Sequence, residues 1–101
     1  MAKRIVWTEK AQSDRFSIFE YWNNRNKSKL YSKKLNGLIN DTLTVVSKHP
    51  LVGKRTDVEN VRAKLLRDYL IVYEETENVI VVLTIWDNRR NPESLKIDVN
   101  T

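Results

Sequence analysis

The hydrophobic positions at the start of the chain change from a strand-like run to helical spacing. Residues 3–7 (Lys-Arg-Ile-Val-Trp) are short, β-branched and aromatic, which is typical of a β-strand. Thr8 predicts a helix N-cap, and Glu9 suits the positive end of the helix dipole. The first helix is expected to end in the turn-forming run at residues 23–26. Its single apolar stripe consists of Ala11, Ile18, Phe19 and Trp22.

A second, longer helical pattern follows. It is predicted to begin near Asn26 or Ser28 and to run to about His49. Pro50 ends it, because the residue before a proline is pushed out of the α region. The short Asn-rich join between the two patterns predicts an antiparallel helical hairpin. The apolar stripe of this helix consists of Tyr31, Leu35, Leu38, Ile39, Thr42, Val45, Val46 and His49.

The second half of the chain has the pattern of strands. A polar loop over residues 51–60 precedes three predicted strands, at residues 61–66, 69–74 and 79–86. The element order β-α-α-β-β-β therefore predicts an α+β fold. In it, an N-terminal strand and an α-helical hairpin pack on a twisted, mainly antiparallel sheet.

The same pattern predicts the core and leaves one sheet face uncovered. Two helices can cover only one face of the sheet, so the other face is expected to keep exposed apolar side chains that seat a partner. The predicted core residues are Trp7, Ile18, Phe19, Trp22, Leu35, Leu38, Ile39, Val46, Ile71, Tyr73, Val81, Leu83 and Ile85.

Length and composition exclude several classes of protein. The 101 residues fit one domain over residues 1–101, with a polar tail from about residue 93. With no Cys and one His, disulfide frameworks and thiolate zinc sites are excluded, and neither a metal nor another cofactor is expected. No signal peptide opens the chain, and no apolar run reaches the roughly 18 residues of a membrane span. We therefore expect a cytoplasmic protein without membrane association.

The formal net charge of +5 is unevenly distributed. Residues 1–50 carry ten basic and four acidic groups, whereas residues 51–101 carry eight and nine. Such basicity favours polyanionic partners. The second helix opens with cations that oppose its dipole, so they are either a solvated face or a site for RNA, DNA or an acidic partner. These cations are Arg25, Lys27, Lys29, Lys33 and Lys34.

A second group of cations belongs to the predicted sheet. Arg62 and Lys64 are two residues apart on one strand and therefore share a face. A cleft lined by such cations could hold a phosphodiester and stabilise the charge that develops during its cleavage. The same residues also fit a solvated strand face with weak salt bridges at its rim. His49, at the end of the second helix, fits a dipole partner or packed residue better than a catalytic base. The flanking cations are Lys54, Arg55, Arg89 and Arg90.

An ordered set of residues across nearly the whole chain resembles the RelE/ParE superfamily, the toxins of type II toxin–antitoxin modules. The matching residues are Trp7-Thr8, Ala11, Asp14, Ile18, Tyr21-Trp22, His49-Pro50, Gly53, Val61-Arg62, Tyr69, Val72-Tyr73 and the run from Ile85 to Pro92. The resemblance implies a bacterial cytoplasmic toxin with an acidic, helix-containing antitoxin as its partner.

The superfamily contains toxins with two kinds of target. RelE-like members cleave mRNA on the ribosome without a metal, by attack of the 2′-hydroxyl on the adjacent phosphate. In that pattern Arg62, Lys64 and Arg89 fall on the cationic positions. Leu70 stands where many ribonuclease members have arginine, and no Tyr or His follows Trp86. ParE-like members also lack that arginine and the Tyr or His near the C-terminus. They inhibit DNA gyrase through a binding surface.

Three functions therefore remain open for the chain. The first is a toxin that binds DNA gyrase or a similar target. The second is a ribosome-dependent mRNA endonuclease with Arg62, Lys64 and Arg89 as catalytic residues. The third is an interaction module without toxicity. The candidates for nucleic-acid or target binding are Lys54, Arg55, Arg90, Lys29 and Lys33.

Overall fold

The computed structural model describes residues 2–89 and confirms the predicted α+β fold. Its five strands form one sheet in the order β1-β5-β4-β3-β2. β1 runs parallel to β5, and the other neighbouring pairs are antiparallel. The predicted loop instead contains a short 3₁₀ helix (Pro50–Val52) and the two-residue strand β2. The elements are β1 (Arg4–Trp7), α1 (Glu9–Asn26), α2 (Leu30–Lys48), β2 (Lys54–Arg55), β3 (Val61–Leu66), β4 (Tyr69–Glu75) and β5 (Val79–Asp87).

Helix α1 begins at the predicted N-cap. The Thr8 hydroxyl accepts a hydrogen bond from the Ala11 N–H over 3.0 Å. The same hydroxyl lies 3.0 Å from the carbonyl oxygen of Val82 and 3.1 Å from that of Leu83. The helix ends at Lys27, whose φ of 55° is left-handed. The cap therefore both starts α1 and attaches it to β5.

Helix α2 begins later than predicted, at Leu30, and its buried face is rotated away from the predicted stripe. Val45 is exposed although it was assigned to the stripe, and Leu43 is buried although it was not. Two small polar residues, Ser32 and Ser47, belong to the buried face. Ser32 donates a hydrogen bond to the Asn23 side chain or the Phe19 carbonyl of α1, at 2.6 and 3.0 Å. Because these buried serines are polar, the pattern of apolar residues does not identify this face.

A β-bulge in β5 reverses the predicted alternation of that strand. Thr84 is opposite Val72 and Val82 is opposite Tyr73, so Leu83 is an extra residue on β5. Simple alternation from Ile85 places Val81 and Leu83 in the core, but the buried residues are Ile80 and Val82 together with Ile85. The predicted core positions Val81 and Leu83 were therefore wrong by one residue.

The core is otherwise close to the predicted one. The predicted residues that are buried are Leu35, Ile39, Val46, Ile71, Tyr73 and Ile85. The predicted residues that are only partly buried are Trp7, Ile18, Phe19, Trp22, Leu38, Val81 and Leu83. Ala11, which the sequence placed in the apolar stripe of α1, is also buried. The buried hydrophobic residues outside the predicted core are Leu43, Val61, Tyr69, Val72, Ile80 and Val82.

The sheet face opposite the helices is less open than expected. Residues of β3 alternate, so that Leu66 packs on the helix-covered core and Leu65 points to the opposite face. Leu65 is 54% exposed, whereas Val72 on the same face is fully buried. Between residues 2 and 89, the other large exposed apolar side chains lie on the helices and the 3₁₀ turn. The expectation of a broadly exposed apolar sheet face is therefore met at Leu65 but not along the sheet.

Two predictions concern residues that the structure does not describe. The polar tail from about residue 93 and the binding candidate Arg90 both lie outside residues 2–89. Within the described residues, neither helix combines the length and the apolar character needed to cross a bilayer.

Candidate functional site

Arg62 is fixed to the loop that joins α2 to β2. Its side-chain Nη1 donates a hydrogen bond to the Gly53 carbonyl over 2.9 Å and lies 3.4 Å from the Leu51 carbonyl. Arg62 stands opposite Tyr73 on β4, and both side chains therefore reach the same loop. The guanidinium thus has a structural partner, which leaves it fewer donors for a phosphate.

Gly53 sits at the centre of this arrangement, and only glycine fits there. The buried Gly53 N–H donates to the Tyr73 hydroxyl over 3.0 Å, and that hydroxyl donates to the Pro50 carbonyl over 2.6 Å. A Cβ at Gly53 would lie 2.5 Å from the Tyr73 Oη. We call Gly53, Arg62 and Tyr73 the loop anchor.

The cations beside the loop anchor share their surface with acids. Lys54 and Arg55 are exposed on β2, and Arg55 pairs with Arg62 in the sheet. Arg55 and Arg62 line a depression of about 420 Å³. Asp57, Glu59 and Glu75 line it as well, so its charge is mixed.

Arg89 forms a bidentate ion pair with Asp87. Its Nε and Nη2 donate to the two carboxylate oxygens over 2.9 and 2.8 Å. This hydrogen-bonded carboxylate raises the pKa of Arg89 above its ordinary value. Arg89 and Lys10 both line a groove of about 340 Å³, and Lys10 is paired with Asp14 over 3.0 Å. Both cations of that groove are therefore neutralised by carboxylates.

The structure does not bring Arg62, Lys64 and Arg89 into one cluster. Arg62 precedes Leu66 by four residues, and Leu66 pairs through Tyr69 with Asp87. Strand rise and strand spacing then separate the backbones of Arg62 and Asp87 by about 16 Å. Lys64 is half-buried and forms no salt bridge with another described residue. The catalytic role of these three residues stays a prediction.

The buried tyrosines are poor candidates for a general base. The Trp22 indole N–H donates to the Tyr69 hydroxyl over 2.7 Å. Burial raises the pKa of Tyr69 and also that of Tyr73, so both hydroxyls stay protonated near neutral pH. His49 is exposed at the end of α2. Among residues 2–89, no group of three His, Asp or Glu side chains is placed to hold a metal ion.

Asp14 has a role that the apolar pattern gave no reason to expect. Its carboxylate accepts hydrogen bonds from the Thr84 hydroxyl and from the Ile85 N–H, directly after the bulge in β5. Lys10 reaches both Asp14 and Thr84. Asp14 therefore holds α1 on β5. Its place in the residue set that resembles the RelE/ParE superfamily was the one sequence signal for it.

The cations of the helical hairpin are largely unengaged. Lys27, Lys29, Lys33 and Lys34 are exposed and form no salt bridge with any residue between 2 and 89. The predicted candidates Lys29 and Lys33 line a groove of about 450 Å³ between α1 and α2. The arrangement suits binding of an anionic partner rather than chemistry.

The chain is similar to known toxins in sequence and in fold. Residues 5–92 match the family model described as the ParE toxin of the type II toxin–antitoxin system parDE. A solved structure, "Chromosomal ParDE TA system from P. aeruginosa", is similar with a TM-score of 0.73 and 18% identity. The match covers 85% of this chain and 96% of that one. The "E. coli DinJ-YafQ toxin-antitoxin complex" is similar in fold, with a TM-score of 0.54, 8% identity, and coverage of 88% and 96%. A search of curated proteins found no match. The chain belongs to the ParE toxin family of type II toxin–antitoxin systems.

Proposed function

We propose that this toxin arrests growth by binding DNA gyrase or a similar DNA topoisomerase through a surface, without cutting RNA itself. The observation that carries the proposal is that two of the three predicted catalytic cations are bonded to other groups of the fold. Arg62 is bonded to loop carbonyls and Arg89 to Asp87, at opposite ends of the sheet. Transition-state stabilisation needs several donors directed at one developing charge. The separation of these cations favours binding over catalysis.

The chemistry of the neighbouring groups supports the same proposal. An RNA-cleaving centre needs a base that takes the proton of the 2′-hydroxyl, within hydrogen-bond reach of it. The pKa of Tyr69 and that of Tyr73 are raised by burial, which disfavours their use as a base. Lys64 alone among the three proposed catalytic cations has no described structural partner, and one cation is a weak basis for phosphoryl chemistry.

We propose an acidic, helix-containing antitoxin as the partner that neutralises the toxin in the bacterial cytoplasm. The structure from P. aeruginosa that shares this fold is a chromosomal ParDE TA system. The net charge of +5 favours an acidic partner by complementarity. An antitoxin encoded next to this chain should raise its melting temperature by mass action. A neighbouring acidic protein that leaves the melting temperature unchanged would remove this part of the proposal.

The target is tested with two assays, one with the purified protein and one in cells that express it. In the first, DNA gyrase supercoils relaxed plasmid with increasing amounts of the chain, and we expect inhibition. In the second, mRNA from cells that express the chain is mapped by primer extension, and we expect no new 5′ ends. Lys64→Ala is the matched variant in both assays, because Lys64 forms no side-chain hydrogen bond with another residue between 2 and 89. Supercoiling inhibition should be the same for the parent and for Lys64→Ala.

The opposite pattern would establish the endonuclease. Codon-positioned cuts that appear with the parent and disappear with Lys64→Ala, together with unhindered supercoiling, would contradict the proposal. Losing one group that acts in the transition state should slow cleavage by about 10²–10³-fold, which primer extension resolves.

A further inference from the structure

The net charge of the chain is concentrated in the helical hairpin. Residues 15–40 contain six basic side chains and one acidic side chain, Glu20, a net charge of +5. That equals the formal net charge of all 101 residues, so the remainder of the chain is balanced. The basic residues are Arg15, Arg25, Lys27, Lys29, Lys33 and Lys34.

An exposed aromatic ring lies in the middle of this charge. Phe16 on α1 is 67% exposed. It lines two adjoining depressions between α1 and α2, of about 450 and 410 Å³. Phe19 and Asn36 also line both depressions, which makes them one continuous groove. Each depression is within the size range of sites for small ligands.

Cations stand at both ends of the groove. Lys29 and Lys33 line one depression and are one helical turn apart, while Arg15 lines the other. The Asn23 and Asn36 side chains add amide groups to the walls. Glu20 is the one acidic residue between residues 15 and 40, and it lies at the depression with the two lysines.

We propose that this groove binds single-stranded nucleic acid, with bases stacked against Phe16 and phosphates held by Lys29 and Lys33. A positively charged groove with an exposed aromatic ring is the arrangement by which proteins bind unpaired strands without sequence preference. Bases enter from the depressions on either side, and the amides contact their edges. An acidic peptide with an apolar side chain would also satisfy these groups, so a peptide probe is included in the test.

The role of the Phe16 ring is tested first. Fluorescence anisotropy measures the affinity of the full chain for a labelled oligothymidine of twelve nucleotides. Base stacking on one ring contributes about 5- to 150-fold in affinity. Phe16→Ala should weaken binding by a factor in that range. Phe16→Leu keeps an apolar side chain and removes the aromatic face, so it should weaken binding nearly as much. Because Phe16 is mostly exposed, neither variant should lower the melting temperature by more than a few degrees.

The cations are tested by the salt dependence of the same binding. Each phosphate contact on a single strand contributes about 0.7 to the slope of log affinity against log salt. The double variant Lys29→Ala/Lys33→Ala should therefore reduce the slope by about 1.4. Lys48→Ala removes an exposed cation at the other end of the same helix and should leave the slope unchanged.

Three outcomes would overturn the proposal. The first is oligothymidine affinity that is the same for the parent, Phe16→Ala and Phe16→Leu. The second is a salt slope that falls equally with Lys48→Ala, which would mean diffuse attraction rather than a groove. The third is a labelled acidic peptide containing leucine that binds in a Phe16-dependent manner while oligothymidine does not, which would assign the groove to a protein partner. None of these outcomes bears on gyrase inhibition, so the two proposals fail separately.

Discussion

Several cations at the sheet are bonded within the fold, whereas the lysines around the start of α2 are not. On the sheet side, Arg62 is bonded to backbone carbonyls, Arg89 to Asp87, and Lys3 to Glu75 at 2.9 Å. On the hairpin, four lysines are exposed without a salt bridge to any described residue. The first set holds loops and strand ends in place, and the second set is available to a partner.

The comparison shows that counting charges does not locate a binding surface. Arg62 and Arg89, two of the three cations predicted to share a site, are bonded within the fold. The cations at the start of α2 oppose the helix dipole, and packing gives no reason for them. Cations that are costly to the fold, rather than cations that are close in sequence, indicate where a partner binds.

The largest expected effect is a difference in stability between substitutions on the buried face of α2 and substitutions beside it. Ile39→Ala should destabilise the chain by about 2–5 kcal/mol, because Ile39 is fully buried. Leu38→Ala, one position along the same helix, should cost clearly less because Leu38 is only partly buried. Urea denaturation measures both. Equal losses would mean that the buried face of α2 is misplaced.

The next effect concerns the loop anchor. Gly53→Ala places a Cβ against the Tyr73 hydroxyl and should cost about 1–3 kcal/mol of folding free energy. Tyr73→Phe leaves the Gly53 N–H without its partner and should cost a similar amount. The double variant should cost less than the sum, since removing the hydroxyl makes room for the methyl group. Additive losses in denaturation would show that the contact is not shared.

A smaller difference in stability tests whether Arg62 on the sheet is more important for the fold than a lysine of the hairpin. Arg62→Ala should cost about 1.5–3 kcal/mol of stability, because a charged side chain bonds two loop carbonyls. Lys33→Ala, at an exposed cation of the hairpin, should stay within about 0.5 kcal/mol of the parent. If both variants melt like the parent, the sheet cations are no more structural than those of the hairpin.

The smallest effect is a loss of stability in alkaline solution. The pKa of Tyr69 and that of Tyr73 are raised from 10.0 by burial, so above about pH 10 the unfolded chain loses these protons before the folded chain does. The unfolded state then binds fewer protons, and stability falls as the pH rises. Below pH 10 neither state is ionised and the contribution is complete. Tyr69→Phe should flatten the decline in urea midpoint above about pH 10, with the exposed Tyr21→Phe as the control.

The elements could be predicted from sequence because their signals are local. Thr8 starts α1 and Pro50 ends α2, each through the backbone of its own neighbours. The position of the buried faces could not, because it depends on distant partners. Leu83 is an extra residue only with respect to Val72 and Tyr73 on β4, and nothing within β5 marks it. Buried Ser32 likewise depends on its partner in α1.

The candidate site was less predictable than the fold. Because Arg62 and Lys64 are two residues apart, the sequence correctly places them on one face of a strand. The spacing gives no information on the carbonyls of residues 51 and 53, which lie eleven and nine residues before Arg62 and accept hydrogen bonds from it. The groove beside Phe16 was missed because it is formed by two helices, and Phe16, which is exposed, was in neither the predicted core nor the predicted binding set.

The most direct test of a binding toxin is growth arrest with the sheet cations changed and the fold kept. The variant Arg62→Lys/Lys64→Ala/Arg89→Lys keeps a donor at the two engaged positions and removes the unengaged lysine. Its melting temperature is compared with that of the parent, and colony formation is counted after induction of each protein. We predict the same arrest for both proteins, because target binding does not depend on these residues. Loss of arrest in a variant that melts within a few degrees of the parent would contradict the account and restore these cations to the active centre of an endonuclease.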